Sequence, residues 1–191
     1  MCFYEISPII DEIDPIIWVG VPRRSNGQEV DVWMFTLGKT AEVQEELILP
    51  VKKKGGFVDF TLAEFSIPIV SERFADTIKE TVMGDCQLVP ARLDDGRRIF
   101  ILNVTASVEC FDRKHSEFTT EMDNIDRATG EFIAPYERIG MVINLMIDQA
   151  AVGKHQMFRI PSWPRPIVIS GDLADKLTAA HLTGFELTEV N

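Results

Sequence analysis

The sequence predicts an α+β fold of mostly antiparallel sheets with a few short helices, built around two similar strand–helix–strand units. Two observations predict it. Ser71 begins an amphipathic segment that lies between runs of alternating or continuous apolar residues typical of strands. A shift of 99 residues superposes this segment on a second one that begins at Ser170, without a gap. Because a helix with one apolar stripe must bury that stripe, each helix is expected to pack on a sheet.

The first 55 residues are expected to form short strands joined by polar turns. The likeliest strands span 3–6, 16–19 and 30–37, which are rich in β-branched and aromatic residues. Asn26–Gly27 predicts a hairpin turn, and residues 40–47 predict a short helix. The run 52–56 (KKKGG) predicts a solvated loop. Trp18 and Trp33 fall inside strand-like runs and are expected in the core.

The middle of the chain predicts a helix followed by three strands. The Ser71 hydroxyl caps the helix, Phe74, Ile78 and Val82 form its apolar stripe, and Gly84 ends it. Strands are expected at 86–93, 98–104 and 108–111. Because the links between them are short, antiparallel meander pairing is expected.

The C-terminal part predicts an exposed excursion at 124–137, a central strand at 141–147 and a short strand at 156–160. The prolines Pro161, Pro164 and Pro166 indicate an extended connection outside any ladder, because proline has no amide donor. The second serine-capped helix and a strand at 185–190 follow. The repeat fits either a true duplication or convergence on a common capped-helix pattern.

Length and composition limit the organisation of the chain. Its 191 residues suit one compact unit, with residues 1–55 as a strand-rich segment packed on a main body of 56–191. No apolar run reaches the roughly 18 to 20 residues that span a bilayer. The N-terminal residues lack the positive flank and cleavage site of a signal peptide, and three cysteines argue against a disulfide framework. We therefore expect a soluble, cytoplasmic protein.

Catalytic motifs are scarce. The sequence has no glycine-rich phosphate loop, no nucleophile elbow and no histidine pair at metal-binding spacing. His115, His155 and His181 lie far apart and are expected at the surface. The acidic spacing around Asp123 and Gly130 departs from that of a calcium loop. The sequence predicts no catalytic residue, no cofactor and no metal.

Charge points to a protein partner. The chain has 30 acidic and 19 basic residues and a formal charge of −11, which disfavours nucleic acid and anionic membranes and speeds encounter with a basic protein. An acidic segment is either a solvated strand end and loop or a negative ridge that docks on a basic surface, with aromatic anchors beside it. The candidate partner-binding residues are Glu109, Asp112, Glu117, Phe118, Glu121, Asp123, Asp126, Tyr136 and Trp163.

Seven segments between residue 55 and the C-terminus carry a resemblance to a known family. They are SERFADTI, CQLVPARL, RRIFILNV, VECFDRKHSEF, MFRI, PIVIS and LTGFEL. In this order they resemble immunity proteins of bacterial polymorphic-toxin systems. The resemblance implies that residues 56–191 are the family domain, and that the protein is a cytoplasmic, non-enzymatic antidote that binds and occludes one toxin, often a basic nuclease. It supplies no catalytic motif and no contact residues.

Three other functions remain open at this point. The chain is alternatively an orphan family member without a toxin, or a structural module whose sheet edge pairs with a second copy in a homodimer. The least favoured alternative is a small hydrolase or transferase using Asp112 and His115, which lack an evident third partner in the sequence.

Overall fold

The computed structural model describes residues 2–9, 16–36, 38–126 and 129–190. In chain order, its strands are β1 (Phe3–Pro8), β2 (Trp18–Val19), β3 (Leu47–Leu49), β4 (Val51–Lys53), β5 (Phe60–Ala63), β6 (Ile67–Ser71), β7 (Cys86–Leu93), β8 (Arg98–Val104), β9 (Glu117–Ile125), β10 (Phe132–Asn144), β11 (Met157–Ile160), β12 (Trp163–Ser170) and β13 (Phe185–Val190). The helices are α1 (Glu72–Ile78), α2 (Gln149–Val152) and α3 (Gly171–Ala179), with 3₁₀ helices at Val32–Phe35 and Glu64–Ser66.

The described strands form two sheets and one separate two-stranded ribbon. The first sheet has the order β3-β7-β8-β6-β5-β2-β4, and the second has the order β11-β12-β1-β13. Pairing is antiparallel except at β2–β5 and β3–β7. The ribbon consists of β9 and β10. The α+β prediction is confirmed.

Both predicted serine caps are present. The Ser71 hydroxyl accepts a hydrogen bond from the Phe74 amide at 3.1 Å, and the Ser170 hydroxyl accepts one from the Leu173 amide at 3.2 Å. Each bond satisfies one amide that lacks a partner within its helix. The apolar stripes of α1 and α3 are fully buried, and the two helices contact each other between the sheets.

The repeat extends from the helices to the register of the strands. In the first sheet β8 lies between β6 and β7, so that Ser71 and Ala91 both pair with Ile99. In the second sheet β1 lies between β12 and β13, and the residues 99 positions after Ser71 and Ala91 both pair with Phe3. The N-terminal strand β1 therefore occupies, in the second sheet, the place that β8 occupies in the first.

Three apolar clusters fill the molecule. The first lies between the sheets and includes α1 and α3. The second lies on the other face of the first sheet, where residues from the N-terminal part such as Phe35 and Ala41 cover it. The third lies on the other face of the second sheet, where residues between β8 and β11, such as Val108 and Leu145, cover it.

Most strands next to the repeated helices were predicted correctly. The predictions at 3–6, 86–93, 98–104, 156–160 and 185–190 are confirmed by β1, β7, β8, β11 and β13. The predicted end of the first helix was wrong, since α1 ends at Ile78 and hydrogen-bonded turns fill the interval before Gly84, whose φ is +93°.

Several predictions for the N-terminal part were wrong. Residues 32–35 form a 3₁₀ helix, not a strand, because the Asp31 side chain accepts the Trp33 amide and favours a turn; residue 37 lies outside the described ranges. Residues 40–47 form no helix, because the Gln87 side chain binds both backbone groups of Ala41 and so competes with helical hydrogen bonds there. Part of the expected 52–56 loop lies in β4. Trp18 and Trp33 were expected in the core, but they are 55% and 57% exposed; Trp18 lies on β2, next to the edge strand β4, and Trp33 lies in the 3₁₀ helix.

Four C-terminal predictions were also wrong. Residues 108–111 make only an isolated bridge, in which Phe111 pairs with Ile147. Residues 124–137 lie largely in the ribbon, and 141–147 contain the end of β10 that adjoins the body rather than a central strand. Pro164 and Pro166 belong to β12, because both precede residues 167–170, where the strand pairs with β1 and needs every amide.

A candidate partner-binding ribbon

The ribbon is fixed to the body at its base. Ile139, which pairs with Thr120, is 2% exposed, and Val142 packs against the third apolar cluster. Phe118 pairs with Val142 and makes an edge-to-face contact with Phe111, with ring centroids 5.2 Å apart. Since side chains alternate along a strand, these residues define an inner face that is turned toward the body.

The opposite, outer face carries a charged cluster. Arg138 pairs across the ribbon with Glu121 and forms a salt bridge with it. Its Nε also lies 2.8 Å from Oδ2 of Asp123, which is nearly buried. The Tyr136 hydroxyl donates a hydrogen bond to the Ile125 carbonyl at 3.3 Å. This set stiffens the ribbon where it leaves the body.

Five of the nine candidate residues therefore meet on the ribbon, namely Glu117, Phe118, Glu121, Asp123 and Tyr136. Glu117 begins β9 and is exposed. Asp126 lies in the turn that follows β9, where its carbonyl accepts the Gly130 amide at 2.7 Å.

The remaining three candidates lie on the body. Asp112 accepts the Lys114 amide and binds His115 Nδ1 at 2.6 Å, and the bond to His115 is the main cause that lowers the pKa of Asp112. Glu109 accepts the Ser162 hydroxyl at 2.8 Å. Trp163 was expected to be exposed, but it is buried, and the Arg165 guanidinium lies 4.9 Å from its ring centre. The proposed ridge is thus divided between the ribbon and the body.

Sequence reasoning missed the exposed apolar side chains of the ribbon. Two of these side chains lie in the segment 124–137, which was predicted as an exposed excursion, and two lie in the continuous apolar run 141–147, which was predicted as a central strand. They are Met122 (68% exposed), Phe132 (81%), Ile133 (44%), Met141 (55%) and Ile143 (63%).

Two cysteines and one histidine have contacts that fit structural roles. Burial raises the pKa of the Cys86 and Cys110 thiols to about 12, so both remain protonated near neutral pH. The His155 ring binds the nearly buried Asp85 at 2.6 Å. Among the described residues, no group of three or more metal-ligating side chains is present. Within the same ranges, no helix is long and apolar enough to cross a membrane.

The fold and the ribbon define an α+β protein of two packed sheets with a projecting β-ribbon. A family model matches residues 20–191 and is described as an immunity protein family, Imm11. The chain belongs to this family, which confirms the resemblance seen in the sequence. Among curated proteins, no match was found. The match begins after β1, although β1 is a central strand of the second sheet.

Proposed function

We propose that the chain is a cytoplasmic immunity protein that binds the cognate toxin domain of a bacterial polymorphic-toxin system and neutralises it by occlusion, without catalysis. Membership of the immunity protein family is the observation that carries the proposal. The exposed ribbon supports it, because a binding protein needs an accessible surface with apolar anchors and a polar surround.

Electrostatics supports a basic toxin, such as a nuclease. The chain carries a charge of −11, and the ribbon alone, residues 117–144, has six acidic and two basic residues, for a net charge of −4. Opposite charge speeds diffusional encounter. All nine candidate partner-binding residues are retained in the proposed docking surface, but they are expected to contribute unequally. Arg138 already pairs with Glu121 and Asp123, so exposed acids such as Glu117 are expected to do more to attract the toxin.

The test is growth rescue and a pull-down with the toxin domain encoded beside this gene. Co-expression is expected to restore growth, and an inactive form of the toxin domain is expected to co-purify with the chain. A toxin domain from an unrelated locus is the control. Growth arrest that persists despite normal expression of the chain, together with no co-purification, would overturn the proposed function.

The electrostatic part has a separate test. The double variant Glu117→Lys and Glu137→Lys is expected to slow association with the toxin domain and to weaken its salt dependence. Glu80→Lys and Glu189→Lys, which change the same charge on the body, form the matched control. Equal association rates for both double variants, measured by stopped flow across a salt series, would remove the ribbon acids from the docking surface.

A homodimer is the second candidate for what the ribbon does. Both outer edges of the ribbon lack a strand partner among the described strands, and unpaired edges favour pairing between chains. The charge of −11 opposes such a dimer. The molar mass in solution, measured by light scattering at low and high salt, distinguishes the two candidates.

A further inference from the structure

We propose that the distal half of the ribbon, residues 122–137, is a plug that enters a concave, positively charged cleft of the toxin, of the kind that binds a polyanionic substrate. This inference rests on the proposed function and specifies the shape and chemistry of the partner site.

Support from the body ends at the middle of the ribbon. On the inner face, the pair of Thr120 and Ile139 is the outermost one with a buried member. The next inner-face pair outward is Met122 and Glu137; Met122 is 68% exposed, and Glu137 is exposed as well. Beyond this point, no described apolar side chain of the ribbon is buried.

Both faces of the distal half carry exposed apolar side chains. Met122 lies on the inner face. Phe132 pairs with Ile125, which alternation along β9 places on the outer face together with Asp123, and Phe132 is 81% exposed. A flat partner surface covers only one of these faces. A cleft covers both, so the two-sided exposure favours a concave site.

Charge indicates the chemistry of that cleft. In the sequence, the distal half has four acidic residues, Asp123, Asp126, Glu131 and Glu137, and one basic residue, Arg127. The distal half is therefore acidic as well as apolar. A cleft lined with lysine and arginine matches this charge, whereas a second copy of an acidic chain repels it.

The dimensions agree with insertion. Beyond the pair of Glu121 and Arg138, β9 has four residues and β10 has six, and at about 3.3 Å per residue they extend roughly 13 to 20 Å. Two strands about 5 Å apart with their side chains are roughly 10 Å thick, which suits an enzyme cleft.

The ribbon is also stiffened for this role. Arg138 stands at the start of the distal half and pairs with Glu121 and Asp123 at the same time. The bond from Tyr136 to the Ile125 carbonyl continues the cross-links outward. A stiff arm loses less conformational entropy on binding than a mobile loop does.

The decisive experiment shortens the plug and leaves its base intact. In this variant residues 122–137 are replaced by Asn-Gly, which closes a two-residue hairpin between the paired residues Glu121 and Arg138. The pairs that involve Ile139 and Val142 remain. An unchanged unfolding transition will show that the body is intact. The affinity for the inactive toxin domain is expected to fall by more than about 100-fold, since a plug carries the central anchors.

Point variants keep the test independent of the shortened chain. Phe132→Ser is expected to weaken binding by about 30-fold, as is typical of a central aromatic anchor. Met83→Ser is the control, because Met83 is 86% exposed but lies in the turn before β7. It is expected to change affinity less than about 2-fold.

Competition tests the cleft itself. A short single-stranded oligonucleotide that occupies the polyanion site of the toxin domain is expected to exclude the full chain and to be displaced by it. If the full chain binds but the shortened chain binds equally well, or if oligonucleotide and chain bind together, the plug is overturned and the proposed function stands. If the full chain does not bind its toxin domain at all, both fail.

Discussion

The Asp59 carboxylate holds Thr183 at two atoms, since its Oδ2 accepts the Thr183 amide at 3.0 Å and the Thr183 hydroxyl at 3.1 Å. Its Oδ1 accepts the hydroxyl of Ser71, the cap of α1, at 2.6 Å. Asp59 therefore joins the first repeated unit to the loop before the last strand of the second. The reciprocal contact is made by Asp85, which follows α1 and accepts the Gln156 amide before β11.

Asp59→Ala is expected to lower the free energy of unfolding by about 3 kcal/mol, because the buried Ser71 hydroxyl and both donors of Thr183 lose their acceptor. Asp76→Ala is the control, since Asp76 lies exposed on α1 and pairs only with the exposed Lys79. Its effect is expected to stay below about 0.5 kcal/mol. Urea unfolding measures both, and equal midpoints for the two variants would contradict the linking role of Asp59.

Gly184→Ala is expected to destabilise the fold by about 3 kcal/mol, because an added Cβ would lie 2.2 Å from the Phe60 carbonyl oxygen. Gly96→Ala separates this clash from backbone strain. Gly96 has a similar φ, +91° against +94°, but has no atom within 4 Å of an added Cβ. The Gly96→Ala variant is expected to lose about 1 kcal/mol of unfolding free energy. Thermal unfolding of the two variants compares their losses of unfolding free energy. Equal losses would show that the Phe60 carbonyl shifts away from the added Cβ at little cost and would contradict the prediction.

A thiol reagent at pH 8 is expected to modify one cysteine of the native chain and three of the unfolded chain. Cys2 is exposed, whereas burial raises the pKa of Cys86 and Cys110 to about 12 and keeps them unreactive. Mass spectrometry counts the adducts. The Cys2→Ser variant is expected to give none in the native state, and rapid labelling of that variant would contradict the burial of the other two thiols.

The same two thiols give a pH dependence of stability. Their folded pKa is raised above the ordinary value of 9.0, so the unfolded state loses these protons first as the pH rises. Their contribution is complete below pH 9 and is lost between about pH 9 and 12. The double variant Cys86→Ala and Cys110→Ala is expected to show a smaller decrease in unfolding free energy over that range. If the unfolding free energies of the unmodified chain and the double variant fall equally between about pH 9 and 12, this pH dependence does not come from the two thiols.

A chain that begins at residue 10, which lacks β1 but keeps β2, is expected to lose the cooperative packing of the second sheet. Without β1 the facing edges of β12 and β13 have no partner, and Phe158 loses its edge-to-face contact with Phe3. Near-ultraviolet circular dichroism and dye binding report the change. A peptide of residues 1–9 added in trans is expected to reverse it, and native behaviour of the shortened chain alone would contradict the role of β1.

The sequence by itself determined the two capped helices and the strands next to them. Ser71 and Ser170 bind amides only three residues away, and the apolar stripes follow the period of the helix, so these features depend on neighbours close in the chain. The family resemblance came from the same segments. The acidic character of the ribbon was also visible in the sequence, but its exposed apolar residues were not, because Phe132 and Met141 are exposed only where no other element covers them.

Only the tertiary structure decided which segments meet. β1 enters the second sheet because β12 and β13, more than 150 residues later, leave a place between them that matches its register. Residues 40–47 form no helix because Gln87 binds Ala41 from another strand, and a helix there would break both bonds. The ribbon stands clear of the body because its inner face finds buried partners only as far as Ile139. Each outcome depends on contacts distant in the sequence, and local pattern and propensity carry no information about them.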